Sequence, residues 1–265
     1  MASIDDLRAT VARLRGPGGC PWDQEQTHQS IRAQLLEEAH EVLEAIDASD
    51  DPLLQEELGD LLLHVVFHAQ LAQERGVFGL EEVIRGINEK LVRRHPHVFG
   101  TTGPLDSSAA VLEKWNELKQ AEKPARTGTF DGIPPSLPAL MRAQETQKKA
   151  ARAGYDWKSP DGVVAKLREE LAELEAARPD PAQAHGECGD LLFSMVNLAR
   201  HWGIDAEQAL RDATAKFRRR IEHAEAAARA GGSDLAALDD AARDALWEEA
   251  KRTLDPDQRQ LTRNG

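Results

Sequence analysis

The chain is poor in cysteine, in basic charge and in long apolar runs, and each shortage excludes a class of protein. Its two cysteines, Cys20 and Cys188, cannot supply a disulfide framework or a zinc site by themselves. No apolar run approaches the ~20 residues of a membrane span, and the acidic start, Met1–Asp6, lacks a signal pattern. We therefore expect a cytoplasmic protein that does not cross a membrane.

The shortage of basic charge also argues against one class of binding partner. The formal net charge is −13, and so acidic a chain repels a long phosphate backbone, which argues against a nucleic-acid partner. A small phosphorylated ligand is a different case, because one bound cation can reverse the local field.

The fold class follows from residue usage and spacing. Alanine and leucine greatly outnumber valine and isoleucine, and no segment alternates polar and apolar residues for long. Apolar residues recur instead at helical spacing, as at Ile31, Leu35, Val42 and Ile46. We predict an all-α fold.

Helix-breaking residues divide the chain in two. The densest group of prolines and glycines runs from Pro124 to Pro138. We predict one helical module over residues 1–123, a linker over 124–136, and a second module over 137–265.

The two predicted modules repeat each other in sequence, which indicates a duplicated unit. The matched segments occur in the same order on both sides of the linker. In the first module they are Trp22, Glu37-Glu38-x-x-Glu41, Glu57-x-x-Asp60, Lys90-x-x-Arg93-Arg94 and Trp115. In the second module they are Trp157, Glu169-Glu170-x-x-Glu173, Glu187-x-x-Asp190, Lys216-x-x-Arg219-Arg220 and Trp247.

The repeated acids lie at the edge of the apolar stripe of their helices. Glu38, for example, shares a helix face with Leu35 and Val42. Two like charges ~4 Å apart repel by about 4 kcal/mol at an effective dielectric near 20, so a cluster of them requires a cation. Oxygen ligands of this kind suit Mg²⁺, with Mn²⁺ as a substitute. The predicted metal ligands are Glu38, Glu41, Glu57 and Asp60 in the first module and Glu170, Glu173, Glu187 and Asp190 in the second.

Two other interpretations of the repeated acids compete with a magnesium site. Solvated surface acids are common on charged helices, but a core-edge position repeated in both modules argues against that interpretation. A di-iron bundle requires Glu-x-x-His on two helices. Glu37 and His40 have that spacing, whereas Glu169 is followed by Ala172, so the repeat preserves the acids and not the histidine.

These motifs together resemble the MazG-type family of all-α nucleoside triphosphate pyrophosphohydrolases, over about residues 7–254. Flanking segments carry the resemblance too, among them Gly19-Cys20-Pro21-Trp22-Asp23 and Arg93-Arg94-His95-Pro96-His97-Val98-Phe99. The chain departs from the family pattern at Thr214, where the first module has Asn88. There is no P-loop or dinucleotide-binding glycine motif.

The resemblance implies hydrolysis of a nucleoside triphosphate to the monophosphate and pyrophosphate, and a homodimer. We expect Glu169 and Glu170 to be catalytic, with Glu37 as the counterpart of Glu169. Candidate substrate-binding residues are Lys216, Arg220, Trp247, Lys90 and Arg94. Two alternatives remain: an enzyme restricted to one non-standard nucleotide, and a nucleotide-sensing or partner-binding regulator without turnover. Because Pro96 interrupts the first basic helix, we expect the second module to carry most of the turnover.

Overall fold

A computed structural model describes residues 3–100, 103, 105–122 and 128–255. Within these ranges the backbone forms helices and no β-strand, which confirms the all-α prediction. The chain divides into two compact units, Met1–Pro124 and Ala125–Gly265. Part of the predicted linker, 124–127, lies outside the described residues, and 128–136 consists of turns and irregular backbone. No helix in the described ranges is long and apolar enough to cross a membrane.

The first unit contains seven helices among its described residues: α1 Ile4–Arg15, α2 Pro21–Glu25, α3 Arg32–Ala48, α4 Asp51–Glu74, α5 Leu80–Arg94, α6 Pro96–Phe99 and α7 Ser108–Ala121. The second unit contains five: α8 Ala139–Arg152, α9 Pro160–Ala177, α10 Pro181–His201, α11 Ala206–Ala230 and α12 Asp240–Leu254. A short 3₁₀ helix, Leu235–Ala237, precedes α12.

Each unit is built around one helical hairpin, α3–α4 in the first and α9–α10 in the second. Both second helices begin with an aspartate cap and a proline in the first turn. The Asp50 carboxylate accepts a hydrogen bond from Leu53 N at 3.1 Å, and that of Asp180 accepts one from Ala182 N at 2.9 Å. These caps satisfy backbone donors that a helix start leaves free. The short turns therefore hold the two helices of each hairpin antiparallel, with acids facing each other.

In the first unit α1 packs on the hairpin through an apolar core and one arginine. Val11 and Val66 are almost completely buried in that core. The Arg15 guanidinium lies over the Phe67 ring, forms a two-pronged ion pair with Glu74, and donates to the backbone carbonyl of Asp23. This arginine thus joins α1, α2 and α4.

The second unit fastens its first helix with amide side chains. The buried Gln144 donates to Ile204 O and accepts from Ala206 N, both at 2.9 Å, at the turn between α10 and α11. Gln147 donates to Phe193 O at 2.8 Å. Because the hydrogen bonds of Gln144 and the one donated by Gln147 are directional, they fix α8 on α10 and α11.

The basic helices differ as Pro96 predicts. Helix α5 ends at Arg94, and α6 starts at Pro96. The corresponding helix, α11, continues past Arg220 to Ala230 without a break.

Candidate functional site

The α3–α4 hairpin brings three of its four predicted metal ligands together. Glu38, Glu41 and Glu57 each place a carboxylate oxygen within 4.8 Å of the others. Asp60 lies outside this trio, although its charge reaches Glu38 and Glu57. We call these three residues the N-terminal acidic site.

The α9–α10 hairpin forms an equivalent site from a different subset of acids. Glu170, Glu187 and Asp190 have oxygens within 4.8 Å of one another, and Glu173 is the member outside the trio. Glu170 is only 4% exposed, whereas Glu187 is half-buried and Asp190 exposed. We call Glu170, Glu187 and Asp190 the C-terminal acidic site.

The electrostatics of the N-terminal acidic site disfavour full ionisation. Burial is the largest cause that raises the pKa of Glu38, followed by its hydrogen bond and charge interaction with Glu41. Burial also raises the pKa of Glu57, and the charges of Glu41 and Asp60 add to the effect. Both groups therefore resist becoming negative, as expected of carboxylates crowded together without a cation.

The C-terminal acidic site contains a cation supplied by the chain. The Lys166 ammonium contacts Glu169 at 2.7 Å and Glu170 at 2.8 Å, and these carboxylates raise the pKa of Lys166. Burial still raises the pKa of Glu173, despite the opposing charge of Lys166. In the first module Gln34 occupies the position of Lys166. The two sites therefore differ in how the negative charge of their carboxylates is offset.

Lys166 was not among the residues predicted from the sequence, although its spacing gives a signal. Lys166 lies four residues before Glu170, one helical turn away on the same face. Glu169 was predicted to lie near the chemistry, and the structure orients its carboxylate toward Lys166. Glu37 is exposed on α3.

Histidines near the N-terminal acidic site were also missed. His64 and His68 continue one face of α4 from Asp60 at four-residue spacing, which is visible in the sequence. His64 Nε2 lies 3.9 Å from Glu38 Oε1. Burial lowers the pKa of His64 and of His68, which favours their neutral form.

The predicted arginines Arg94 and Arg220 each belong to a repeated clamp. Arg94 is 6% exposed, lies 5.1 Å from the Trp115 ring centre, and forms an ion pair with Glu122. Arg220 lies 5.4 Å from the Trp247 ring centre and contacts Asp255 at 2.8 Å. We call these two sets the arginine–tryptophan clamps; they join α7 to α5 and α12 to α11.

The clamps show that three predicted substrate-binding side chains, Arg94, Arg220 and Trp247, already have partners within the protein. Hydrogen bonds from Arg94 and then Arg93 lower the pKa of Glu122 to about 2, so its carboxylate stays ionised beside them. Glu122 and Asp255 already occupy the Nε and Nη2 donors of the clamp arginines. One face of each tryptophan is already covered by a guanidinium.

The predicted lysines have a different environment. Lys90 and Lys216 are half-buried, and neither forms an ion pair with another residue that the structure describes. Thr214, where the family pattern has asparagine, donates its hydroxyl to Leu210 O at 2.8 Å on its own helix. Among the basic residues predicted to bind substrate, the lysines therefore differ from Arg94 and Arg220, which already form ion pairs.

A family model and several individual proteins are similar to this chain. The family model described as "MazG nucleotide pyrophosphohydrolase domain" matches twice, at residues 26–99 and 158–225. The chain is 47% identical to "Nucleoside triphosphate pyrophosphohydrolase/pyrophosphatase MazG" of Thermotoga maritima over 94% of this chain and 95% of that protein. It is 45% identical to "Nucleoside triphosphate pyrophosphohydrolase" of Escherichia coli K12, over 95% and 98%. "Uncharacterized protein YabN" of Bacillus subtilis is 44% identical over 93% of this chain and 51% of its own length.

We predict that Glu57→Gln stabilises the metal-free protein at neutral pH. The folded-state pKa of Glu57 is raised, so its ionisation penalty is present above that pKa and is relieved as pH falls toward the ordinary glutamate range. The variant should melt at a higher temperature than wild type near pH 7, and the difference should shrink toward pH 5. Glu25→Gln, at an exposed position of the same unit, is the control. An equal melting temperature for Glu57→Gln and wild type at pH 7 would contradict an ionisation penalty at Glu57.

Proposed function

The chain belongs to the MazG nucleotide pyrophosphohydrolase family, and from this membership we propose how its acidic sites act. It is a nucleoside triphosphate pyrophosphohydrolase, which uses water to convert a nucleoside or deoxynucleoside triphosphate to the monophosphate and pyrophosphate. The observation that carries the mechanism is the pair of acidic sites at equivalent positions of the duplicated hairpin.

The donor set of the C-terminal acidic site fits Mg²⁺, with Mn²⁺ as a substitute. Three carboxylates have oxygens within 4.8 Å of one another, and hard oxygen donors are what Mg²⁺ prefers. Glu170, Glu187 and Asp190 would hold the ion, with Glu173 available from one turn along α9. Mg²⁺ bound there would neutralise phosphate oxygens and make a water molecule more acidic for in-line attack. The sister set is Glu38, Glu41 and Glu57, with Asp60 nearby.

The protein's own side chains then perform the remaining tasks. Lys166 balances Glu169 and Glu170 before substrate arrives, and its flexible ammonium can turn to donate to a phosphate oxygen. That movement would free the Glu169 carboxylate to orient the attacking water. Lys216 supplies a second donor to the phosphates from α11.

We predict that hydrolysis requires Mg²⁺ or Mn²⁺ and stops in excess EDTA. Binding to the folded state should also raise the thermal stability, because the cation relieves carboxylate repulsion. The measurement is pyrophosphate release over a panel of nucleoside triphosphates, together with melting curves with and without Mg²⁺.

The outcomes of that panel separate the proposal from its alternatives. Turnover of several nucleotides supports a broad pyrophosphohydrolase, and turnover of one non-standard nucleotide supports a narrow enzyme. Nucleotide binding without pyrophosphate release would indicate a regulator. Undiminished turnover in EDTA would exclude the magnesium mechanism.

We also propose that the second module carries most of the turnover. Its acidic site has Lys166 in contact, where the first module has Gln34, and its basic helix is uninterrupted at Lys216. The first module has Asn88, but its basic helix, α5, ends at Arg94.

We predict that Glu170→Gln lowers the turnover number by roughly a hundredfold or more, because it removes a ligand charge while keeping the side-chain size. Glu38→Gln, the matched change in the first module, should cost much less. The assay is pyrophosphate release at saturating Mg²⁺, with helicity checked by circular dichroism. Inactivation by Glu38→Gln alone would reverse the assignment, and equal losses would make the modules equivalent.

A homodimer accounts for the apolar surface that the units leave exposed. Each hairpin has a second apolar stripe that its partner helix does not cover. On α4 the stripe comprises Leu58, Leu62 and Val65, and on α10 it includes Leu192 and Met195. Surfaces of this kind mark protein interfaces in proteins that are not membrane-bound.

We predict a dimer at micromolar concentration, measured by sedimentation or light scattering. Leu58→Glu and Leu62→Glu together should shift the population toward monomer by placing charge in the apolar stripe. Glu56→Gln, on the same helix at an exposed position, is the control for a surface change. A wild-type monomer at that concentration would rule the dimer out.

A further inference from the structure

One lysine stands among the carboxylates of the C-terminal acidic site. The Lys166 ammonium lies 2.8 Å from Glu170 Oε1, and the two residues are four apart on α9, about one helical turn. A second contact, to Glu169 at 2.7 Å, holds the ammonium on the same side of the helix. The chain itself therefore supplies a positive charge to this site.

The burial of its partner distinguishes this ion pair from ordinary surface pairs on helices. Only 6% of the Glu170 side chain is exposed, whereas the glutamates paired with Lys114 and Lys148 are 57% and 39% exposed. Exposed pairs of that kind contribute little, because water screens both charges. A carboxylate as buried as Glu170 is poorly solvated and requires a cation beside it to stay ionised. Lys166 is that cation when no metal is bound.

The N-terminal acidic site differs at this position. Gln34 takes the place of the lysine, four residues before Glu38. Across the hairpin, His64 Nε2 lies 3.9 Å from Glu38 Oε1. The ring of His68 follows on the same face of α4 and stacks on that of His28. The duplicated sites therefore contain equivalent acids, but only the second has an ammonium on the helix turn before them.

A divalent cation and the ammonium cannot both lie against Glu170 without repelling each other. A protonated lysine has no lone pair, so it cannot take part in coordinating a metal. The buried carboxylate leaves little water to screen the two positive charges, which then repel strongly at a separation of a few ångströms. Metal binding therefore requires the ammonium to leave, and the flexible side chain of lysine permits this movement.

We propose that Lys166 is the resident counter-ion of the C-terminal acidic site and competes with the divalent cation for Glu170. The two modules consequently bind metal with unequal affinity before any nucleotide is present, and the C-terminal acidic site is the weaker. This role rests on the proposed function of both acidic sites as metal sites. It adds a residue that sets how readily one of them is filled.

The test is a titration of the full-length, EDTA-stripped and nucleotide-free protein with Mn²⁺, in which the EPR signal of free Mn²⁺ reports binding. Wild type should show two classes of site, the tighter in the N-terminal acidic site. Lys166→Gln, which installs the first module's residue, should tighten the weaker class by about fivefold or more, the low end of typical coupling between two binding events. Lys166→Met, which removes the charge and keeps the length of the side chain, should do the same.

Four further variants separate charge from other effects. Gln34→Lys should weaken the tighter class by a similar factor, because it places an ammonium one turn before Glu38. Lys166→Arg keeps the charge and should leave the weaker class as in wild type. Asp190→Asn, added to Lys166→Gln, should abolish the gain and so locate it in the C-terminal acidic site. Lys148→Gln is the matched control, because it removes a lysine whose partner lies outside both acidic sites.

The proposal is overturned if the wild-type sites bind Mn²⁺ equally tightly, or if both uncharged Lys166 variants leave the weaker class unchanged. It is also overturned if Lys166→Arg or Lys148→Gln tightens that class as they do, or if the gain survives Asp190→Asn. Circular dichroism checks that each variant folds. Should both uncharged Lys166 variants fail to fold, Gln34→Lys decides, and an unchanged tighter class then overturns the proposal.

Pyrophosphate release by wild type, measured with Mg²⁺ and in excess EDTA, separates this proposal from the proposed function. Mg²⁺-dependent release, with Mn²⁺ affinities that do not depend on Lys166, defeats only the competition for Glu170. Release that persists in EDTA defeats the magnesium mechanism, whatever the Mn²⁺ titration gives.

Discussion

The repulsion between carboxylates held on two facing helices is the constraint around which each unit is organised. A capped, short turn forces α3 against α4, and α9 against α10, so the acids cannot move apart along the helices. Burial raises the pKa of Glu38, Glu57 and Glu173, and the charges of neighbouring carboxylates raise it further. The remaining packing, through Arg15 in one unit and Gln144 in the other, joins each hairpin to its neighbouring helices.

The two modules respond to the same constraint with different chemistry. In the second, the Lys166 ammonium neutralises the most buried acid, Glu170. In the first, Gln34 brings no charge, and neutral imidazoles adjoin the carboxylates. Duplication thus preserved the helical framework while the groups that surround the acids diverged. This difference is the physical basis for assigning separate roles to the two sites.

The sequence predicted the helices, the duplication and the grouping of the acids, because all three depend on local spacing. It could not predict that Asp60 stands outside one trio and Glu173 outside the other, since side-chain conformation decides this. Arg94 and Arg220 looked like free phosphate ligands. Their clamp partners, Glu122 and Asp255, come from other helix ends, and no periodicity reveals such contacts. His28 was missed for the same reason, because its neighbour His68 is distant in the chain.

The two helical hairpins also differ in length, and the position of the difference shows where residues were gained or lost after the duplication. The chain between Glu41 and Glu57 is longer than that between Glu173 and Glu187, yet α4 and α10 begin at the same distance before Glu57 and Glu187. The difference is therefore confined to the last turn of α3 and the connection that follows. An insertion between two acids of one helix would rotate them onto different faces, since each residue turns a helix by about 100°. Gains and losses of residues during evolution could therefore accumulate at the hairpin tips, while the spacing within each acidic pair stayed fixed.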